Sequence, residues 1–548
     1  MTRIQRAILG SLTDDIPERQ GVSMRKQTFF IMLAVFLSLG CRPLFAQLAS
    51  DPNDRMYTDL KLWEDRGFLT NLPPLKPYPI QLLKKLLGDV QDKGDEQDRA
   101  LAQQYLSEMD ELIDFRGVAG AVSRTDFSSV YGQFTLGGTL QGSILPWVTY
   151  SGSLTGVVNN GPGDSLLPED QRSTVDYIFD SGVRPLGTTS FIPRVSSASS
   201  AAFGSDTFYF QAGDTRGSYG PFWGDNAVLS PSAPQAGQIS YVFRHQYFTV
   251  TEMIMALSAV SSDGTQGPFP NKFMSLHSLE IYPLPWLTFS VFESIVWGGR
   301  FELLYTLPFA VYYYAQGFGG FSDNSFIGLS GGIKFPSNVR ADFILYVDDA
   351  AFNDLIKLNF NTMIEVAFQA GVSWTPNLPW LTRLSLNGIA VTPYTYTHTN
   401  DHADLSGIPN YLDYSNSGQN LGPSLQPNSL RVEVSALQRP VLSLDVSPFL
   451  RMILHGNAGE YYAGGTGTIF DNGYAQSPPP YSTFRFLSQS VIEKTFQAGL
   501  DSKWYLGTSF GRIQLSLSYT FEYILDSGLS RGATAVNNYL GLGLTLSH

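Results

Sequence analysis

Seven side chains in this 548-residue chain are placed where they could meet a ligand. Asp348-Asp349 closes an apolar strand and could hold a cation or work as acid and base. Neighbours in a strand point to opposite faces, so the two do not make one dyad. A solvated strand end is the plainer reading. Arg300 and Glu302 share strand parity and could both face one enclosed space, where they would meet a sugar or each other. Arg216 and Arg244 are cations of the same kind, and Glu293 interrupts an otherwise apolar strand face. The alternative reading of Arg216, Arg244, Arg300 and Glu302 is a structural charge network on an inner wall. His245, His277 and the other histidines lack the i, i+4 spacing of a metal site. Gly217-Ser-Tyr-Gly220 lacks the lysine of a phosphate loop, and Asp323-Asn324-Ser325 is ordinary turn sequence. No Ser/His or Asp/His constellation assembles. A non-enzymatic protein is expected, with no catalytic residue, metal or cofactor.

The elements that carry these residues alternate with period two. Leu276 to Tyr282 and Leu287 to Trp297 are strands joined by Pro283-Leu-Pro-Trp286. In the second strand Leu287, Phe289, Val291, Ile295 and Trp297 share one parity; Thr288, Ser290, Ser294 and Gly298 share the other. Such alternation marks a strand with two different solvents on its faces. Trp286, Trp297 and Tyr312 to Tyr314 cluster at strand ends, as the interface rings of a membrane barrel do.

The beginning of the chain sets the compartment. Arg25 and Lys26, an apolar run from Phe29 to Leu39, and Leu44-Phe45-Ala46 form a secretory signal peptide. The run is too short for a spanning helix, which needs about 20 residues. Met24 is the expected start codon and Ala46 the expected cleavage site. Cys41 is the rival, as a lipoprotein cysteine, although Ser38 stands where Leu is usual. Cleavage after Ala46 leaves no cysteine, and hence no disulfide or thiolate chemistry.

Composition then divides the chain into 47–116 and 117–548. Asp51 to Arg116 holds 14 acidic and 9 basic residues in 66, the density of a small soluble domain. It reads as three helices. Asp51-Pro52 caps the first, with Met56, Leu60 and Trp63 on one face and Gly67 at its end. Pro79 starts the second, with Leu83, Leu86, Leu87 and Val90 on a stripe. Leu101, Tyr105, Met109 and Leu112 mark the third.

From Gly117 no run reaches 18 apolar residues, and short alternating segments take over: Gln133 to Leu140, Thr149 to Val157, Thr207 to Ala212, Ile239 to Phe243, Phe326 to Ile333, Ala341 to Val347, Leu384 to Val391, Leu430 to Val434, Leu442 to Val446, Thr495 to Trp504, Ile513 to Tyr523 and Tyr539 to Leu546. Three features favour a membrane over a soluble β-sandwich. Leu-Pro-Trp, an apolar residue and Thr recur at Leu145, Leu284 and Leu378, each time directly before a strand, as interface turns would. Tight turns contrast with long polar connections at Asn159–Ala202 and Asn400–Pro427. The chain ends in a strand with Leu540, Leu542, Leu544 and Leu546 facing one way, ready to pair with the first and close a barrel. The final residue is His548 rather than the usual aromatic. At roughly 24 residues per strand and loop, residues 117–548 give about eighteen strands.

Several segments resemble the capsule assembly Wzi family of outer-membrane proteins. They are Tyr57-Thr-Asp-Leu-Lys-Leu-Trp-Glu-Asp-Arg-Gly-Phe-Leu69, Tyr219-Gly-Pro221 with Leu229-Ser230 and Ala233-Pro234, His277-Ser-Leu-Glu280, Glu293 to Gly299, Asp323-Asn324, and Tyr346-Val-Asp-Asp349. The resemblance implies a barrel of about eighteen strands, a periplasmic helical bundle, and a surface lectin holding capsular polysaccharide.

The fold expected is therefore an all-β transmembrane, antiparallel outer-membrane β-barrel with a small N-terminal α-helical periplasmic domain. The helices are expected to dock at the periplasmic mouth through Trp63, Phe68 and Leu69 to Leu75. The expected partners are cell-surface polysaccharide, outer-membrane lipid and, through the last strand, the barrel assembly machinery. A net charge of −13 argues against nucleic acid. A porin or solute channel is the rival function.

Overall fold

The computed structural model describes residues 51–110, 113–124, 130–159, 192–261, 272–320, 322–350, 364–376, 380–398, 409–457, 485–508 and 511–547, with Lys357 and Leu378. The signal segment with Cys41 and Ala46, Leu112 and His548 lie outside these residues. Three helices come first: α1 (Arg55–Asp65), α2 (Ile80–Lys93) and α3 (Glu96–Met109). Eighteen antiparallel strands follow and close on themselves.

In chain order the strands are β1 (Ile113–Arg124), β2 (Val130–Leu145), β3 (Val148–Asn159), β4 (Ile192–Gly204), β5 (Phe208–Thr215), β6 (Ala236–His245), β7 (Phe248–Leu257), β8 (Lys272–Leu284) and β9 (Leu287–Gly298). They continue as β10 (Asn324–Phe335), β11 (Val339–Ala350), β12 (Ile364–Trp374), β13 (Arg383–Val391), β14 (Ser429–Val441), β15 (Leu444–Gly456), β16 (Ile492–Thr508), β17 (Gly511–Leu525) and β18 (Thr534–Ser547). Each strand pairs with its sequence neighbour, and β18 pairs with β1 from Ser547↔Arg116 to Tyr539↔Arg124. Closure leaves no unpaired edge for lipid to meet.

Parity sorts the two faces as expected. Phe134, Leu136, Leu154, Leu329, Phe343, Phe368, Leu542 and Leu544 are exposed on the outside and form an apolar belt. Connections at one end are short, and the three Leu-Pro-Trp turns all lie there, with Trp147, Trp286 and Trp380 exposed. In each, the residues flanking Pro-Trp pair directly: Leu145↔Val148, Leu284↔Leu287 and Leu378↔Leu381. The other end carries the longer connections.

The helices bury the expected stripes: Met56, Leu60 and Trp63; Leu83, Leu86, Leu87 and Val90; Leu101, Tyr105 and Met109. Asp95 caps α3 by accepting from the Gln97 and Asp98 amides. Gly67, at φ +83°, ends α1 in the left-handed region where a side chain would be strained.

Four details differ from the sequence reading. The N-cap of α1 is Asp54 rather than Asp51, whose carboxylate instead accepts from the Asn53 amide in a preceding turn. The first barrel strand opens at Ile113, ahead of the compositional step at Gly117. β4 falls within the stretch expected to be all loop; its Ser/Ala run has no apolar alternation to show. β7 alternates poorly because its inner face passes from Thr249 and Thr251 to Met253, Met255 and Leu257, which point into a packed interior, while Glu252 interrupts its outer face.

Candidate functional site: the lumen

The lumen is entered from both ends. From the tight-turn end come the helices and the segment after α1. From the other end, the connection between β5 and β6 turns inward. The two meet in a small antiparallel ladder, Leu75↔Tyr219 and Lys76↔Ser218. The Gly220 amide donates to the Pro74 carbonyl at 3.1 Å. Gly220, at φ +137°, lies where an added Cβ would strike the Asn226 side chain.

The helices are held to the wall by ion pairs. Arg340 of β11 reaches Glu64 at 3.0 Å and Asp342 at 2.8 Å. Arg439 of β14 reaches Asp59 at 2.8 Å and Asp445 at 2.7 Å. Ser373 of β12 donates to Asp65, and Arg512 of β17 lies 3.3 Å from Glu108. Burial opposes ionisation of Glu64, but Lys61 and Arg340 outweigh it and hold the carboxyl well below its usual range. An apolar seam runs beside these ion pairs, with Leu75 in the lumenal cluster that holds Met253, Leu276 and Phe292 of the barrel. Leu69 and the flanking Phe68 and Leu72 join a cluster that includes Tyr209 and Val242 of the barrel. Trp63 lies within the same cluster and gives its indole N–H to Asp98 of α3.

The inturned loop is anchored through Asp225. It accepts from Arg431 at 2.9 Å, the Ser230 hydroxyl at 2.5 Å and the Ser424 amide at 3.3 Å. Burial again works against the charge, and Arg431 with these donors carries the Asp225 carboxyl below its usual value. The loop's backbone is read by lumenal side chains. Gln369 accepts from the Ala227 amide, Tyr396 donates to the Ala227 carbonyl at 2.6 Å, and Tyr414 donates to the Val228 carbonyl at 2.8 Å. Tyr396 and Tyr414 stack at 5.4 Å, and Phe326 and Tyr346 at 4.8 Å, which packs the loop end of the lumen with rings. Lys272 of β8 and Asp413 form a buried ion pair that ties in the connection between β13 and β14.

Between this plug and the wall of β11–β16 lies a cavity of about 440 Å³. Its lining is polar with three aromatic residues: Phe222 and Trp223 from the inturned loop and Phe449, beside Arg383, Asn387, Glu433, Arg451 and Asp501. The Arg383 guanidinium sits 4.0 Å over the Trp223 ring. The Trp223 indole N–H and Arg383 Nε are buried without an acceptor among the described residues. Arg451 pairs with Glu433 at 2.6 Å. Rings beside hydroxyls, amides and charges suit a ligand with CH faces and many hydroxyls.

The seven sequence candidates do not converge. Arg244 caps the tight-turn end, donating to the Asp206 and Asn71 carbonyls. Arg216 donates to the Ala233 carbonyl and lies 3.6 Å from Asp51, which steadies the inturned loop. Asp348 points inward and accepts from the Tyr396 amide at 2.7 Å, so it is a packing anchor and not a solvated strand end. A β-bulge between Val347 and Asp349 separates the pair. Arg300 and Glu302 do meet, at 3.8 Å, but not in the lumen: β9 ends at Gly298 and both lie in the loop beyond it. Glu293 faces the outer side of β9. Asp225, Arg431, Trp223 and Arg383 were not visible in the sequence. They sit in an aperiodic loop or singly on strands, and only the inward turn of the loop brings them together.

Structural comparison decides the fold. Wzi of Escherichia coli, described as an outer-membrane protein involved in group 1 capsule assembly and a carbohydrate-binding β-barrel, superposes with a TM-score of 0.57 at 13% identity, over 92% of this chain and 99% of that one. The fold is that of an outer-membrane β-barrel. Weaker similarity is found to OccAB2 of Acinetobacter baumannii (TM-score 0.43, 10% identity, 80% and 97% of the chains) and OprD of Pseudomonas aeruginosa (0.43, 8%, 80% and 94%). No family model and no curated protein sequence matches the chain.

Proposed function

We propose that this protein is a non-enzymatic outer-membrane barrel that binds or anchors surface polysaccharide, with its helices in the periplasm. The observation that carries the reading is the double plug. Helices from one end and the β5–β6 loop from the other meet across the lumen and are fixed by buried ion pairs. An anchor tolerates such filling; a transport pore does not benefit from it. The likeness to a carbohydrate-binding barrel supports the reading, and the cavity beside Trp223 and Arg383 has the chemistry a saccharide needs. The tight-turn end is the periplasmic end in such barrels, and the last strand, paired with β1 from Tyr539 to Ser547, is the segment offered to the assembly machinery. Deleting the gene and staining the cell surface for glycan tests the proposal: loss of retained glycan is expected, and unchanged retention ends it.

One observation favours a channel instead. The inner faces of β17 and β1–β3 carry Gln514, Ser516, Ser518, Gly120, Thr135, Gly137, Thr139 and Ser153, all only half-buried. Among the described residues that sector is polar and less filled than the rest of the lumen, and ion flux through it would mark a solute path.

A further inference from the structure

The connection between β9 and β10 does not rise away from the membrane. Gly299 and Gly320, at φ +73° and +80°, bend it back on itself, and it drapes down the outer wall. Its two ends are stapled where Arg300 and the Tyr305 hydroxyl both reach Asp323. Tyr305, Tyr312 and Ala315 pack onto Ile295 and Trp297, both on the outward parity of β9. The loop reaches β6 through Tyr241, whose hydroxyl donates to the Thr306 carbonyl, and β10 through Gln316, which donates to Ser325. It therefore covers the outside of five adjacent strands.

Beneath it lies a patch that lipid would reject. Glu252, His277 and Glu293 stand directly opposite one another on the outward faces of β7, β8 and β9. His277 lies 3.8 Å from Glu252 and 3.5 Å from Glu293. Tyr312 covers all three: its amide donates to Glu293 at 2.7 Å, its hydroxyl to Glu252 at 2.9 Å, and its ring lies 4.2 Å from that of His277. Ionisable groups on the lipid face of a barrel are costly, most of all near mid-depth. Elsewhere the described outer wall avoids such clusters with an apolar belt.

The loop's own outer surface continues that belt. Phe301, Leu303, Phe309, Tyr314 and Phe318 are exposed, Phe309 by 83% and Phe318 by 87%. Glu302 is the single charge among residues 301–321. Depth follows from register. Trp297 is the eleventh residue of β9, counted from the tight turn. At about 3.3 Å per residue and a tilt near 40°, that climb is about 25 Å, the height of the hydrocarbon band. The rings thus stand at the level of the outer leaflet.

We propose that residues 299–320 form a membrane-embedded collar whose aromatic face contacts outer-leaflet acyl chains and whose inner face keeps Glu252, His277 and Glu293 out of lipid. Phe309→Cys and Phe318→Cys, each in a Cys41→Ser background, supply sites for an environment-sensitive fluorophore in the full chain reconstituted in phosphatidylcholine vesicles. Phe289→Cys in the belt and Lys84→Cys on α2 are the references. A doxyl group high on the lipid chain should quench both loop labels at least as strongly as the Phe289 position, and aqueous iodide should quench them far less than the Lys84 position. Iodide quenching equal to that at Lys84 overturns the proposal. Protection from both quenchers, with crosslinking between copies, also overturns it, because the surface is then a contact with a second copy. If Phe309→Cys does not assemble, Phe318→Cys carries the test alone.

Discussion

The inner wall of this barrel has two unlike sectors. From β5 to β14 it carries large or charged side chains that meet the plug: Phe292, Arg340, Tyr346, Gln369 and Arg431, all buried. From β17 through β1 to β3 it carries mostly small or polar residues, among them Gln514, Ser516, Ser518, Gly120, Thr135 and Thr139, half-buried among the described residues, with Gln141, Ser151, Thr520 and Glu522 buried beside them. Both sectors share strand geometry and the same lipid outside. What differs is whether the chain supplies its own occupant. A strand that packs against protein on its inner face becomes apolar or charge-paired there; one that faces water needs only small polar residues.

The largest test of this contrast is removal of the occupant. Replacing Pro221–Pro234 with a short Gly/Ser linker should raise single-channel conductance in planar bilayers several-fold over the intact chain. Equal conductance would mean that the open sector already carries the current and that the plug obstructs nothing. Next comes Arg340→Ala, which removes the cation that bridges the buried Glu64 and Asp342 carboxylates and leaves Glu64 with Lys61 alone. A loss of about 3–5 kcal/mol is expected, read from the urea midpoint of heat-modifiable gel mobility. Full retention would show the helices to be a loose appendage.

Glu64→Gln sharpens the same clamp by pH. The folded carboxyl sits below its ordinary value of 4.5, so its ionised form stabilises the fold at and above that pH. The stability gap between wild type and Glu64→Gln should be full near neutrality and close as pH falls below 4.5 through the depressed folded value. A gap that widens in acid would reverse the sign and refute the clamp.

Two glycines give the smallest and most direct comparison. A Cβ on Gly328, in the filled sector, would lie 2.1 Å from the Phe292 ring. Gly328→Ala should cost about 1–3 kcal/mol. On Gly120, in the open sector, the nearest atom would be the Leu542 carbonyl oxygen at 3.6 Å. Gly120→Ala should change stability by less than about 0.5 kcal/mol. Equal costs would erase the distinction between sectors.

How much of this was legible in the sequence follows the same division. Strands with lipid outside and small polar residues inside show clean alternation: β17 is read to within two residues at each end, whereas Gln133 to Leu140 covers half of β2 and Tyr539 to Leu546 the later part of β18. β7 was hidden by Met253 and Met255, and β4 by its small residues, because alternation reports a difference between solvents that those strands lack. The three Leu-Pro-Trp turns predicted one interface correctly, since their chemistry is local. The site was much less legible. Arg300 and Glu302 were placed on a strand facing the lumen, but Gly299 turns the chain outward just before them. Asp225 and Arg431 are 206 residues apart and meet only because a loop folds inward; no spacing in the sequence encodes that.

Equilibrium binding of purified surface polysaccharide to the detergent-solubilised full chain tests the central claim most directly. Saturable binding is predicted, weakened when Trp223 and Arg383 are both replaced by Ala. No binding by the intact chain, together with steady solute flux through it in vesicles, would contradict the account and make the protein a channel.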